Sequence, residues 1–277
     1  MIYWDPSITA FSIGHFEVRW YSICWCIALA LGYMVVYKLY RRQNIPQEKF
    51  DPLFIYCFVG ILAGARLGHC LLYEPGYFLS HPLEMVLPMH HLPDGSWKFT
   101  GYAGLASHGG TLGLMIALWL YVRRTKVNLM RVLDNIAIAT PICACFIRLG
   151  NLMNSEIVGK FTGSDYGFVF VRNGDTLPRH PGQLYEAIAY FVFFFVGLWL
   201  YRRFSQRVGT GFFFGFCLTS IFAFRFIVEF FKEVQEPWEL AMQHAVGINQ
   251  GQLLSIPFIA LGLYCMLGGK YCRKLGE

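Results

Sequence analysis

The segment between Arg148 and Gly159 concentrates polar residues at the end of an apolar run, with one guanidinium, two amides and one carboxylate. A charged side chain in hydrocarbon costs about 2.5–3.5 kcal/mol on insertion scales, so Arg148 needs a partner at a membrane edge. Asn151, Asn154 and Glu156 supply hydrogen-bonding groups, and Gly159 allows the backbone to approach a ligand closely. The segment is therefore a candidate functional site; the alternative is a well-satisfied loop at a helix end.

Two further arginines, Arg66 and Arg225, lie within or at the edge of apolar stretches. Arg225 and Glu229 are four residues apart and share one helix face, where an ion pair would orient the guanidinium. Structural pairing alone is the alternative for this pair. Three arginines in such positions are hard to explain by packing, and a planar guanidinium is suited to clamping a phosphate. The pattern indicates an anionic phospholipid headgroup as the ligand.

Ser107-His108-Gly109-Gly110 opens another apolar run and places an imidazole at a predicted helix N-terminus. The positive end of the helix dipole favours the neutral ring, which can act as a general base. Gly109 and Gly110 remove side chains where a substrate could touch the backbone. The alternative is that His108 only caps the helix.

Polar groups also precede two later apolar runs, and an aromatic pair precedes the first. One polar segment runs from Arg179 to Glu186 and includes Gln183 and Tyr185, and the other runs from Asn249 to Pro257. Tyr21 belongs to a Trp-Tyr pair of the kind that anchors helices at membrane interfaces. Its hydroxyl would matter if a pocket closed over it.

The composition indicates an integral membrane protein. Of 277 residues, 56% are hydrophobic and only 14% are charged, against roughly 25% charged in soluble domains. The net charge of +6 comes from short basic clusters between apolar segments, which indicates membrane topology rather than nucleic-acid binding. The nine cysteines lie mostly in apolar stretches without metal-site spacing, so we expect neither a metal nor a disulfide framework. We expect no cleavable signal peptide.

Seven apolar runs approximate the length that crosses a bilayer, so the predicted fold is an all-α bundle of seven transmembrane helices with a small extracytoplasmic head. The runs cover residues 20–37, 52–73, 104–122, 132–148, 185–201, 210–229 and 251–269. We treat residues 1–277 as a single transmembrane domain. Within the second run, Gly60, Gly64 and Gly68 recur every four residues, which predicts close helix packing. Residues 166–175 combine a β-prone run with an Asn-Gly pair, which predicts a hairpin.

Basic residues alternate between the loops and predict the orientation. One side carries fourteen of the 23 lysines and arginines: Lys38, Arg41, Arg42, Lys49, Arg123, Arg124, Lys126, Arg131, Arg202, Arg203, Arg207, Lys270, Arg273 and Lys274. The other side carries six: Arg19, Lys98, Lys160, Arg172, Arg179 and Lys232. The positive-inside rule puts the N-terminus outside and the C-terminus in the cytoplasm. The loops 74–103, 149–184 and 230–250 then face outward, and we expect the chemistry there.

Five motifs, in order and spread over nearly the whole chain, together closely resemble those of the prolipoprotein diacylglyceryl transferase family. They are Ser107-His108-Gly-Gly, Arg148-Leu-Gly-Asn151-x-x-Asn154-x-Glu156-x-x-Gly159, Arg179-His-Pro-x-Gln183-Leu-Tyr185-Glu186, Phe-Arg225-Phe-Ile-Val-Glu229-Phe-Phe and Gly251-Gln252-Leu-Leu-Ser-Ile-Pro257.

The resemblance implies a bacterial inner-membrane enzyme with an outward active site and no cofactor. Such enzymes move the diacylglyceryl group of phosphatidylglycerol to the lipobox cysteine thiol of prolipoprotein signal peptides. They form a thioether and release glycerol phosphate, which is the first step of lipoprotein lipidation. By motif match the functional positions are His108, Arg148, Asn151, Asn154, Glu156, Gly159, Arg225, Glu229 and Tyr21. The chain departs from the commoner family pattern at Ser107, Ile147, Leu152 and Ile221.

The resulting hypothesis makes His108, Arg148 and Arg225 catalytic. The two arginines hold the lipid phosphate, Glu229 and Glu156 hold the guanidinium groups, and His108 takes the thiol proton directly or through water. The predicted substrate-binding residues are Tyr21, Arg66, Gly109, Gly110, Asn151, Asn154, Glu156, Gly159, Gln183, Tyr185 and Glu229. The main alternative is a seven-span transporter or binder of an anionic lipid or solute, and an intramembrane hydrolase is a further one.

Overall fold

The computed structural model describes residues 1–14, 16–87, 89–92, 95–99, 104–233, 247–269 and 272. Its helices are α1 Trp20–Arg42, α2 Gln47–Leu72, α3 Pro75–Ser80, α4 Pro82–Val86, α5 Ser107–Thr125, α6 Leu129–Met153, α7 Gly182–Arg203, α8 Phe212–Val228 and α9 Gln250–Met266. Its strands are β1 Ile2–Trp4, β2 Thr9–Ile13, β3 Phe16–Arg19, β4 Met89–His91, β5 Trp97–Phe99 and β6 Phe168–Phe170. Each of the seven predicted apolar runs corresponds to one of the long helices.

The mostly helical architecture confirms the predicted helical membrane protein in its coarse form. In the described part of the chain, α1, α2, α6 and α7 are long and apolar enough to cross a membrane, and α8 and α9 are shorter apolar helices. The count of seven spans, the extracytoplasmic head and the single domain over residues 1–277 stay predictions. Residues 234–246 of the third outer loop and the basic tail residues Lys270, Arg273 and Lys274 lie outside the described residues.

The chain divides into two compact units, one of residues 40–129 and one of residues 1–39 with 130–277. In the unit of residues 40–129, α2 packs along α5 through glycines. A Cβ on Gly60 would lie 2.8 Å from the carbonyl oxygen of Gly113, and a Cβ on Gly68 would lie 2.7 Å from the Cα of Gly109. No side chain fits between the backbones at these positions, which confirms the packing role predicted for the four-residue glycine spacing.

The loop after α2 forms α3, α4 and the antiparallel hairpin of β4 and β5, and the buried Glu84 holds it together. The Glu84 carboxylate accepts hydrogen bonds from the Tyr77 hydroxyl at 2.8 Å and from the His91 backbone N–H at 3.0 Å. It also contacts Nδ1 of His90 at 2.9 Å. Burial by itself would raise the pKa of this carboxyl, but these contacts outweigh it and lower the pKa to about 2.

In the other unit, α8 and α9 also approach through glycines, since a Cβ on Gly262 would lie 2.8 Å from the carbonyl oxygen of Gly215. The N-terminus of α8 is held by Asp134 of α6, a fully buried carboxylate. Its oxygens accept the backbone N–H groups of Gly209, Gly211 and Phe214 at 2.8, 3.0 and 2.8 Å. Amide groups at a helix N-terminus lack intrahelical partners, so this carboxylate acts as a cap supplied by another helix.

The strands of this unit surround the start of α1 and the segment after α6. Strands β2 and β3 form an antiparallel hairpin that leads directly into α1, and β1 pairs in parallel with β6. The hairpin predicted over residues 166–175 is wrong. The buried strand β6 pairs with the N-terminal strand, and Asn173 ends a 3-10 turn that Gly174 closes at φ 76°. The β-prone pattern identified the strand but not its distant partner.

Candidate active site

Arg148 lies near the C-terminal end of α6 and is fixed by two neighbours. Its Nε lies 2.7 Å from Oε2 of Glu186 at the start of α7, and its Nη1 donates to Oδ1 of Asn151 at 3.1 Å. The Glu186 side chain is 0% exposed and the Arg148 side chain 17%. At this length the two opposite charges form a close ion pair that is largely shielded from solvent. The expectation that Glu156 holds a guanidinium is wrong for Arg148, because Glu186 takes that place.

Glu156 instead ties together the two asparagines of the same segment. Its carboxylate accepts Nδ2 of Asn151 at 3.0 Å and Nδ2 of Asn154 at 3.1 Å. Asn151 thus faces Arg148 with its oxygen and Glu156 with its nitrogen. Tyr21 of α1 belongs to the same neighbourhood, since a Cβ on Gly150 would lie 2.8 Å from its ring. Sequence reasoning had named all four of these polar residues.

The backbone of this segment adopts left-handed conformations at two residues that are not glycine. Ser155 has φ 54° and Ile157 has φ 57°. A β-branched residue rarely has positive φ, and such positions cost about 1–3 kcal/mol each. They persist only where the surroundings enforce them, so contacts that hold the loop are expected.

Side chains from distant parts of the chain hold the loop by its carbonyl groups. Trp4 donates to the carbonyl of Leu152 at 2.9 Å, Arg172 to that of Met153 at 3.1 Å, and Asn173 to that of Ser155 at 2.9 Å. Gln183 donates to the carbonyl of Glu156. The amide of Gln183, predicted to bind substrate, is therefore turned toward the loop backbone.

Gly159 stands where two other backbone segments converge. A Cβ there would lie 2.5 Å from the carbonyl oxygen of His180 and 2.7 Å from that of Phe231. Tyr185, another predicted binding residue, has its hydroxyl 3.1 Å from Nδ1 of His180. Gly159 is thus required by close backbone packing, which is an independent reason for a glycine at this position.

Arg225 and Glu229 form the predicted pair at the end of α8. Nε of Arg225 lies 3.7 Å from Oε1 of Glu229, and the arginine side chain is 40% exposed. At this distance the pair is looser than that of Arg148 and Glu186. Oε2 of Glu229 accepts Nδ2 of Asn249 at 3.2 Å. Gly251 leaves room for this carboxylate, since a Cβ there would lie 2.5 Å from its carbon.

Asn249 also caps α9 in a reciprocal arrangement with Gln252. Its Oδ1 accepts the backbone N–H of Gln252 at 2.8 Å, and Oε1 of Gln252 accepts the backbone N–H of Asn249 at 3.0 Å. This capping box fixes the start of α9 beside the end of α8. The same residue therefore orders a helix terminus and contacts Glu229.

Lys232 joins the two arginine sites, and sequence reasoning assigned it only to the outer side of the membrane. Its Nζ lies 3.1 Å from Oε1 of Glu186 and 3.3 Å from Oε1 of Glu229, and its side chain is 7% exposed. The result is a continuous chain of alternating charges from Arg148 through Glu186, Lys232 and Glu229 to Arg225. Lys232 follows Glu229 by three residues, and this spacing could have identified it as a partner of that carboxylate.

Glu186 ends the motif that begins at Arg179, but the sequence analysis does not predict it as a residue of the active site. Its Oε1 also accepts the Tyr190 hydroxyl at 3.3 Å. Tyr190 packs in a cluster with Cys145 and Ala187, against which Ile221 lies. Ile221, one of the departures from the family pattern, thus packs against the apolar cluster that contains Tyr190. The position of Glu186 could have identified it, because an acidic residue at the start of a predicted apolar helix needs a polar partner.

The remaining predicted site residues lie in the unit of residues 40–129. His108 is the second residue of α5 and is exposed, which confirms its expected place at a helix N-terminus. Arg66 is buried and donates to the carbonyls of Glu84 at 2.6 Å and Met85 at 3.3 Å. Gly109 faces α2, so its missing side chain serves helix packing. Substrate roles for Arg66, Gly109 and Gly110 stay predictions.

The arginine network occupies one end of four successive helices: the C-terminal ends of α6 and α8 and the N-terminal ends of α7 and α9. Apolar helices of this length that carry a polar site at one end are typical of a helical membrane protein. Within the described residues no group of three or more His, Cys, Asp or Glu side chains could hold a metal ion.

Comparison with known proteins identifies the family. The family model of prolipoprotein diacylglyceryl transferase matches residues 8–268. A phosphatidylglycerol–prolipoprotein diacylglyceryl transferase of Bacteroides fragilis is 57% identical over 265 residues, covering 96% of this chain and 94% of the relative. The enzyme of the same name from Tolumonas auensis is 42% identical, covering 96% and 97%. The chain belongs to the prolipoprotein diacylglyceryl transferase family.

Proposed function

We propose that this chain transfers the diacylglyceryl group of phosphatidylglycerol to the cysteine thiol of prolipoproteins. The relatives carry this activity in their names, and they match nearly the full length of the chain. The structural observation that carries the proposal is the charge chain that ends in Arg148 and Arg225. Two guanidinium groups, each paired with its own carboxylate and linked through Lys232 at one end of the helices, form a suitable receptor for a phosphodiester.

We further infer a multi-pass protein of the bacterial inner membrane with seven spans, an extracytoplasmic N-terminus and a cytoplasmic C-terminus. The charge network lies at one end of α6, α7 and α8, and the basic residues Arg131, Arg202, Arg203 and Arg207 lie at the other. Basic clusters favour the cytoplasmic side, so the network would face outward.

In the proposed reaction the two arginines have different parts. Arg148 is held rigidly by Glu186 and Asn151, while Arg225 is only loosely paired and partly exposed. A loosely paired guanidinium can turn toward an anionic ligand without losing a strong contact. The phosphate of phosphatidylglycerol, entering sideways from the bilayer, would bind between the two, and the arginines would stabilise charge on the leaving phosphate.

The chemical step is a substitution at the glycerol carbon that carries the phosphate. The substrate thiolate forms a carbon–sulfur bond, the carbon–oxygen bond breaks, and glycerol phosphate leaves with the bonding electron pair. The thiol proton passes to His108 or to a water beside it, because the thiolate is the effective nucleophile. The lipobox cysteine belongs to the substrate, so none of the nine cysteines of this chain is needed as a nucleophile.

The other predicted binding residues surround these groups in supporting roles. Asn151, Asn154 and Glu156 form one hydrogen-bonded set beside Arg148, and Glu229 orients Arg225. Tyr21 packs on the turn of α6 that precedes Asn151. Gln183, Tyr185 and Gly159 shape the loop that carries Glu156. We propose that these residues set the geometry of the phosphate site.

The test is transfer by the purified protein in lipid nanodiscs that contain labelled phosphatidylglycerol. A lipobox peptide should gain the mass of a diacylglyceryl group, with stoichiometric release of glycerol phosphate, and a Cys-to-Ser peptide should not react. Arg225→Gln should lose activity, whereas Arg203→Gln, at the opposite helix end, should keep it. Lipid binding or movement without glycerol phosphate release would instead support the transporter alternative and overturn the proposal.

A further inference from the structure

Lys232 is the central cation of the charge chain, and its contacts are with the two carboxylates that pair with the proposed phosphate-binding arginines. Its Nζ lies within 3.3 Å of both Glu186 and Glu229, and its side chain is buried. Each carboxylate in turn holds one arginine, at 2.7 Å for Arg148 and 3.7 Å for Arg225. One nitrogen therefore connects the two guanidinium groups across α6, α7 and α8.

The lysine is fixed in place by its backbone as well as by its charge. Lys232 forms an antiparallel bridge with Gly159, and the N–H of Lys160 donates to the carbonyl of Phe231 at 2.8 Å. Its side chain passes Gly182 at the first turn of α7, where a Cβ would be 3.7 Å from the lysine Cγ. The ammonium group is thus positioned by the same strand contact that ends the Arg148–Gly159 segment.

Without this cation, two carboxylates would face each other inside the protein. The polar groups around them are Arg148 from α6, Tyr190 from α7, Arg225 from α8 and Asn249 before α9. Glu186 has a close arginine and no exposure, so Glu229, with its weaker arginine contact, would move away from it and draw Arg225 out of position. Neutralising one of the two carboxylates would relieve this repulsion.

We propose that Lys232 is a positioning residue that sets the separation of Arg148 and Arg225 and thereby the affinity for the lipid phosphate. This inference rests on the proposed transferase function. It assigns to Lys232 no contact with substrate; it acts through Glu186 and Glu229. A displacement of about 1 Å in a catalytic group can reduce rate by about 100-fold.

The test compares Lys232→Met, which keeps length and removes charge, with Lys232→Arg, which keeps charge. For Lys232→Met we expect kcat/KM for phosphatidylglycerol to fall 10- to 100-fold, while KM for the lipobox peptide stays within twofold. Lys232→Arg should recover at least a third of the activity. The matched control is Lys160→Met, because the one side-chain contact of Lys160 among the described residues runs from Nζ to the carbonyl of Phe230 at 3.1 Å, and it should retain parental activity.

A pH profile separates positioning from general destabilisation. In Lys232→Met, proton uptake by one of the facing carboxylates should restore part of the activity toward low pH, and this limb should disappear when Glu229→Gln is added. If Lys232→Met fails to fold, the double variant with Lys232→Met and Glu229→Gln should fold, because only one of the two facing carboxylates then remains charged. Parental kinetics in Lys232→Met, equal loss toward both substrates, or lack of recovery in Lys232→Arg would overturn the inference. An inactive parent protein would instead refute the proposed function.

Discussion

Gly251 at the start of α9 offers a direct test of how closely the Glu229 carboxylate must be placed. In Gly251→Ala the new Cβ would lie 2.5 Å from the carboxyl carbon and 2.7 and 2.9 Å from its oxygens. To reach an ordinary contact of 3.4 Å, the carboxylate must withdraw by about 0.9 Å. A shift of this size would change its contacts with Lys232 at 3.3 Å and Asn249 at 3.2 Å, which hold it in place.

We expect kcat/KM of Gly251→Ala for phosphatidylglycerol to fall by about 10- to 100-fold, since displacements near 1 Å can cost about 100-fold. The assay is diacylglyceryl transfer to a lipobox peptide at varied lipid fraction. Gly197→Ala in α7 is the matched control, because its Cβ would meet only a Phe216 ring carbon at an ordinary 3.7 Å. Unchanged kinetics in Gly251→Ala, with the protein folded, would refute the view that the carboxylate position controls the arginine site.

Three further predictions concern other parts of the molecule. Arg148→Lys keeps the charge but loses the fork that reaches Glu186 and Asn151 together, so transfer should drop at least tenfold; near-normal turnover in the membrane assay would contradict the clamp. Asp134→Ala leaves three N–H groups of the α8 N-terminus without their acceptor, which should cost about 3 kcal/mol of unfolding free energy; a loss under ~1 kcal/mol in detergent unfolding would reject this cap. Because its contacts lower the pKa of Glu84 to about 2, below the ordinary value of about 4.3, the ionised carboxylate stabilises its loop above that ordinary value. This stabilisation should disappear as pH falls toward 2, and Glu84→Gln should remove this acid-dependent change; identical pH profiles of hydrogen exchange in the parent and the variant would disprove it.

The helices and the pair of Arg225 and Glu229 could be predicted from the sequence because their signals are local. Apolar runs of membrane length gave each long helix, and the four-residue interval gave the pair of Arg225 and Glu229. The four-residue spacing of Gly60, Gly64 and Gly68 likewise predicted contact with another helix. These patterns depend only on helix periodicity, which the sequence contains directly.

The partners of these groups could not be predicted in the same way because they come from distant segments. Arg148 pairs with Glu186 and not with the predicted Glu156, although Glu156 is nearer in the sequence. No local pattern indicates the contact of Lys232 with Glu186. Strand β6 pairs in parallel with β1 at the N-terminus, in addition to an antiparallel bridge between Phe168 and Arg179. Pairing between distant segments of one chain is decided by tertiary packing, which local propensity does not encode.

The glycine contact between α2 and α5 has a consequence for the residue proposed to receive the thiol proton. His108 immediately precedes Gly109, whose Cα would lie 2.7 Å from a Cβ on Gly68. With backbones this close, α5 cannot slide or rotate along α2 without collision. Relative to α2, the imidazole can therefore change its position mainly by rotation about its own side-chain bonds. A lipid or peptide that meets the ring would be met by such a rotation and not by a movement of α5 along α2.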